Sequence, residues 1–172
     1  MIQLWKRWLA TLRRYSHPRR LRIRGRAVLP CSAFGEEEKL YHGFSVEDLD
    51  ELDNIKIETI RFPDFSCNWS RFSIAADVRL RENGQPTDGA YAFTVETARY
   101  KSLATPVHDP LRRPVENYAH VEVRELQEGE SVLEAPPKNR RKKKSGKSRR
   151  LEYRQNLLNR LCIELPAKNA AI

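Results

Sequence analysis

The stretch Ala119–Leu126 reads AHVEVREL. Val121 and Val123 alternate with Glu122 and Arg124, the period of two expected of a half-buried β-strand. A second stretch, Ala90–Thr97 (AYAFTVET), repeats the pattern around Tyr91, Phe93 and Val95. Asn83-Gly84 and Asp88-Gly89 stand just before it as turn signals. Strands separated by turn residues point to antiparallel pairing.

Outward from these two strands the pattern varies. Residues 55–61 alternate Ile55, Ile57, Thr59 and Arg61 with Lys56, Glu58 and Ile60 and read as a strand that Pro63 ends. Leu40, Tyr41 and Phe44 mark a short strand or turn. Ser45, with Asp48 three positions on, is placed to cap one or two helical turns. Residues 64–73, DFSCNWSRFS, read as a polar-aromatic loop, and residues 74–81 fit a short helix and a strand equally. Pro106, Pro110 and Pro114 make residues 105–118 a stiff loop.

Both ends of the chain carry a helical period. Ile2, Trp5, Leu9, Leu12 and Tyr15 recur at steps of three and four, up to Pro18. Leu151, Leu157, Leu158, Leu161 and Leu165 do the same near the C-terminus, with Ser148 as a possible cap. The expected class is therefore α+β: a small, mainly antiparallel sheet flanked by N- and C-terminal amphipathic helices. The expected organisation is a basic amphipathic helix and arm over 1–26, an acidic α+β body over 27–137, a basic linker over 138–150, and a C-terminal helix and tail over 151–172.

Charge is segregated along the same boundaries. Residues 1–26 carry nine Lys/Arg and no acid: Lys6, Arg7, Arg13, Arg14, Arg19, Arg20, Arg22, Arg24 and Arg26. Residues 138–150 carry nine more and no acid: Lys138, Arg140, Arg141, Lys142, Lys143, Lys144, Lys147, Arg149 and Arg150. These are 18 of the 32 basic residues, and the body between them holds 11 Lys/Arg against 21 Asp/Glu. The overall +9 hides this division. Clustered cations gain most from a polyanion whose condensed counterions they displace, so RNA or DNA backbone is the leading partner. Trp5, Trp8 and Tyr15 interleave with the first basic segment and suit stacking on unpaired bases. Residues 1–15 taken alone also suit an anionic membrane surface, and the segment resembles an organellar transit peptide. Lys138–Arg150 has the composition of a nuclear import signal, which applies to a eukaryotic source. An acidic protein partner, with the chain as scaffold, is a further class, and so is neutralisation of the basic segments by the acidic body. Sequence sets no oligomeric state.

Two sets of side chains carry candidate chemistry. His108, His120, Glu116 and Arg71 supply the acid, base and forked cation of a small metal-independent nuclease-like effector, because imidazole titrates near neutral pH. Asp64, Ser66, Asn68, Ser70 and Arg71 would suit a ligand, or would satisfy their own backbone while Phe65, Trp69 and Phe72 enter the core. The spacing of the histidines matches no metal-ligand pattern, and no phosphate-binding loop, dinucleotide fingerprint or nucleophile elbow is present. No cofactor is implied. Cys31, Cys67 and Cys162 are odd in number, far apart and without a C-x-x-C pair, which fits free thiols in a reducing cytoplasm. No apolar run reaches the roughly 20 residues of a spanning helix. Lys6 and Arg7 interrupt what would be the apolar stretch of a secretory signal.

The patterns FPDFSCNWSRFS over 62–73, and HDP followed by ENYAHVEVR over 108–124, resemble a group of small, uncharacterised bacterial proteins. The resemblance covers the middle of the chain only, leaves out the basic segments, and implies a bacterial cytoplasm without an activity.

Overall fold

In the computed structural model, which describes residues 19–62, 64–79, 87–113, 116–138 and 146–167, six strands form one antiparallel sheet. They are β1 (Lys39–Phe44), β2 (Asp64–Trp69), β3 (Gly89–Thr94), β4 (Ala104–His108), β5 (His120–Glu125) and β6 (Cys162–Leu165). Their order across the sheet is β4-β5-β2-β1-β3-β6. The described residues hold two α-helices, α1 (Val95–Ala98) and α2 (Lys147–Leu158), and several single 3-10 turns.

This corrects the expected plan of a small sheet flanked by terminal amphipathic helices: the chain is largely a sheet protein. Residues 2–15 lie outside the described residues. At the other end, α2 stops at Leu158 and the leucine-rich continuation turns back as β6, pairing with β3 (Ala92↔Cys162, Tyr91↔Ile163, Ala90↔Leu165). The buried residues of α2 are Tyr153 and Leu157, one turn apart, whereas Leu151 is exposed. The leucine spacing fitted a helix, but an unpaired edge on β3 takes up residues 162–165 instead.

Other local expectations change for comparable reasons. Residues 64–69 are a strand, not a loop: Phe65, Cys67 and Trp69 face inward and alternate with Ser66 and Asn68. Residues 104–108 are also a strand despite Pro106, because β4 pairs only with β5 and an edge strand tolerates proline. Residues 55–61, expected as a strand, hold a 3-10 turn at Ile57–Thr59, with Ile55 and Ile60 buried. Ser45 does start a turn, Val46–Asp48, and its N–H donates to Asp48 Oδ2 at 2.7 Å.

The core lies on one face of the sheet. Leu40, Phe44, Phe65, Trp69, Tyr91, Phe93, Val121 and Val123 meet Ile60 and Phe62 and the α2 residues Tyr153 and Leu157 there. Phe34 stacks on Trp69 at 3.8 Å, and Phe62 on Tyr153 at 4.3 Å between ring centroids. Full burial of side chains of this size contributes roughly 1.5–3 kcal/mol each. The opposite face is polar along β2 and β5, with Ser66, Asn68, His120, Glu122 and Arg124. The Ala75–Arg79 turn covers part of it so closely that a Cβ on Gly43 would overlap the Val78 carbonyl oxygen. Cys31 and Cys67 are buried and Cys162 is exposed, all as free thiols. Among the described residues no helix is long and apolar enough to cross a membrane.

Candidate nucleic-acid interface

The described part of the first basic segment is built by alternation. Leu21 and Ile23 are buried, while Arg19, Arg20, Arg22, Arg24 and Arg26 are exposed. The apolar pair fixes the backbone, so the arginines between must project outward. Gly25, at φ +70°, then bends the chain, and the Arg26 N–H donates to the Ile23 carbonyl at 2.8 Å. The bend brings Arg26 round to join Arg19, Arg22 and Arg24 in lining a concavity of about 480 Å³.

Two of the five arginines are structural anchors. Arg20 grips Asp77 with both arms of its guanidinium, Nε to Oδ2 at 2.9 Å and Nη2 to Oδ1 at 2.6 Å. Arg26 donates to the Arg20 carbonyl at 2.9 Å and lies 4.8 Å over the Tyr118 ring. Arg19, Arg22 and Arg24 make no side-chain hydrogen bond or ion pair among the described residues. Three guanidiniums held near one another without an acid present an electropositive surface.

Tyr118 and His108 mount this segment on the sheet. The Tyr118 N–H donates to the Leu21 carbonyl at 2.7 Å, and its hydroxyl donates to the Ala27 carbonyl at 2.9 Å. The Leu29 N–H donates to His108 Nδ1 at 3.0 Å. Nδ1 is thereby an acceptor, so the proton sits on Nε2, which donates to the Tyr118 carbonyl at 2.6 Å. His108 is 1% exposed, and burial pushes its pKa down against the opposing pull of the Tyr118 carbonyl. A polar chain supports the same region from the other face of the sheet. Asn117 donates to Asn68 Oδ1 at 2.7 Å, Asn68 to Ser73 Oγ at 3.2 Å, and Ser73 to Asp77 at 3.2 Å.

The second basic segment is held at both of its described ends. Lys138 reaches Asp109 Oδ2 at 2.5 Å and Glu122 Oε1 at 3.8 Å. Arg150 pairs with Glu125 at 2.9 Å, and Arg149 donates to the Leu126 carbonyl at 3.2 Å. The acidic body thus neutralises Lys138 and Arg150, leaving Lys147 exposed. Buried Arg124 adds bonds to Asp109 at 2.9 Å and Glu122 at 2.6 Å. Burial would raise the Asp109 pKa, but Lys138 and Arg124 outweigh it and hold the carboxyl below its ordinary value. Lys6, Arg7, Arg13, Arg14, Arg140, Arg141, Lys142, Lys143 and Lys144 lie outside the described residues.

The acid–base set is not assembled as one site. His108 pairs across the ladder with Val121, so His120, one residue earlier on β5, projects from the other face. Both ring nitrogens of His108 are already bonded, which leaves no lone pair to abstract a proton. His120 Nδ1 lies 2.6 Å from the Asp109 carbonyl oxygen. Glu116 is exposed on the β4–β5 connection. Arg71 is held by Glu38, Nε to Oε1 at 2.8 Å and Nη2 to Oε2 at 3.1 Å, and lies 4.5 Å over Trp69. Glu38 also accepts from Trp69 Nε1 at 3.0 Å and the Gly35 N–H at 2.7 Å. Ser70 Oγ accepts from the Lys39 N–H at 3.0 Å. Asn68, Ser70 and Arg71 therefore bond to the surrounding framework.

Sequence reading did not single out Asp77, Leu29 or Tyr118 as the mount. The alternation of Leu21 and Ile23 with arginine was the only signal of an anchored segment. No family model, curated protein or solved structure matches this chain, so its site rests on its own geometry.

Proposed function

We propose that this protein binds RNA or DNA through the phosphate backbone, with the Arg19–Arg26 segment at the core of the contact. The central cations of the second segment, Arg140, Arg141, Lys142, Lys143 and Lys144, add to it. The observation that carries the reading is the concavity lined by Arg19, Arg22, Arg24 and Arg26. Guanidinium is suited to this partner because its planar donors meet phosphate oxygens in pairs. Leu21 and Ile23, buried in the body, pre-order the segment and lower the entropy lost on binding.

The test is a salt titration of oligonucleotide binding by the full chain and by R19Q/R22Q/R24Q. Wild type should bind RNA or DNA oligonucleotides with an affinity that falls steeply with salt. The triple variant should lose up to about 0.9 from the log–log slope for each phosphate contact removed. An unchanged slope and affinity would overturn the proposal. Binding to anionic vesicles but to no oligonucleotide would favour a membrane surface instead.

A further inference from the structure

The shape of the arginine cluster narrows the ligand, on the footing that the protein binds a phosphorylated polyanion. We infer that the Arg19–Arg26 turn is a receptor for a compact oligophosphate group, such as the 5′-triphosphate that ends a nucleic-acid strand or a free polyphosphate chain. The turn at Gly25 closes the segment on itself, so its cations line a concavity rather than a linear track. The hollow, about 480 Å³, is open to solvent, so it would hold a compact charged group at the surface rather than enclose it. A single-strand track instead follows about 4–16 nucleotides. A duplex spaces its phosphates over a convex surface, one per about 3.4 Å of axis on each strand, and would meet this hollow only at its rim.

Charge points the same way. Four arginines line the hollow among the described residues, and the described lining includes no carboxylate. Their mutual repulsion is relieved most by an anion that concentrates several charges in a small volume. Each phosphate of such a group offers oxygens to two neighbouring forks at once. Arg26, pinned by the Tyr118 ring and the Arg20 carbonyl, still has donors to spare and gives the wall a fixed member. The nucleic acid beyond the terminal group would then run out over the remaining basic residues.

The experiment compares one RNA sequence with a 5′-hydroxyl, a 5′-monophosphate and a 5′-triphosphate, binding to the full chain at physiological salt. Inorganic tripolyphosphate is both competitor and, by calorimetry, direct ligand, with sulfate at equal ionic strength as control. The triphosphate end should bind at least about tenfold tighter than the hydroxyl end. Tripolyphosphate should compete, and R22Q/R24Q should abolish the difference between ends. Both residues are exposed, so the variant should melt like the wild type. Equal binding to all three ends, with tripolyphosphate no better than sulfate, overturns the inference and leaves backbone binding standing. Tripolyphosphate bound without RNA binding upholds the receptor and removes the nucleic acid. Binding of neither removes both.

Discussion

The Leu29 N–H donates to His108 Nδ1 at 3.0 Å, and this one bond decides what the histidine can do. An imidazole that accepts at Nδ1 and donates from Nε2 is neutral, and protonation would turn Nδ1 into a donor facing an N–H. The residue that chemistry alone would nominate as an acid or base serves to dock the chain just after the arginine turn.

Acid should therefore weaken this protein in part through His108. Its folded pKa is depressed, while its unfolded value is about 6.5. Above the unfolded value both states are neutral and the contribution is complete. As pH falls below it the unfolded chain takes up a proton that the native state refuses. Stability then drops by up to about 1.4 kcal/mol per pH unit until the folded pKa is reached. Urea unfolding of wild type and H108Q from pH 7.5 to 5 should show that the wild type has the steeper loss. Parallel curves would refute the assignment.

Asp109 should behave with the opposite ionisation. Its folded pKa is held low, so its contribution is present above the unfolded value of about 3.9 and is lost as pH falls through the folded one. D109N removes one carboxylate from buried Arg124 and from Lys138. A cost of about 1.5 kcal/mol is expected, because Arg124 keeps Glu122 and loses one charge-assisted bond. A melting temperature within a degree of wild type would show that the network is dispensable.

The two members of the Glu38–Arg71 pair should not be equivalent. E38A leaves Trp69 Nε1, buried in the core, without its acceptor and should cost about 2 kcal/mol. R71A removes a side chain that is 40% exposed and should cost under about 1 kcal/mol. Chemical denaturation of both variants checks the order; a reversal would mean that Arg71, rather than Glu38, organises the corner.

Gly25 offers a way to disturb the arginine turn without touching a charge. Among the described residues, its two chain neighbours apart, no atom lies within 4 Å of where its Cβ would be, but its φ is +70°. G25A should cost about 1 kcal/mol for conformation alone. It should weaken oligonucleotide binding while all four lining arginines remain. Unaltered affinity would show that the cations act by charge and not by their placement.

Much of the sheet was legible wherever one face is apolar and the other polar. Val121 and Val123 on β5, alternating with Glu122 and Arg124, show this plainly, whereas β3 was legible because the aromatics Tyr91 and Phe93 alternate with the small Ala90 and Ala92. Phe65, Cys67 and Trp69 on β2 carry the same alternation, but the density of Ser, Asn and Asp around them signalled a loop. Those polar residues face a covered polar layer, a fact that composition does not convey. In β4 the prolines obscured a strand that an edge position permits. Leu161 and Leu165 continued a helical spacing from Leu158, yet the open edge of β3 made a strand the better use of residues 162–165.

The sequence by itself determined the partition of charge and the alternation along residues 90–94 and 120–125, because these depend on local order and period. Tertiary structure alone decided what each polar group faces. It set His108 against Leu29 and Tyr118, Arg71 against Glu38, and Lys138 and Arg150 against the acids of the β4–β5 edge. The reason is that a hydrogen bond or ion pair is formed by residues distant in the chain and brought within about 3 Å by strand register. The same side chain is a reactive group or a fastening according to which neighbour that register supplies.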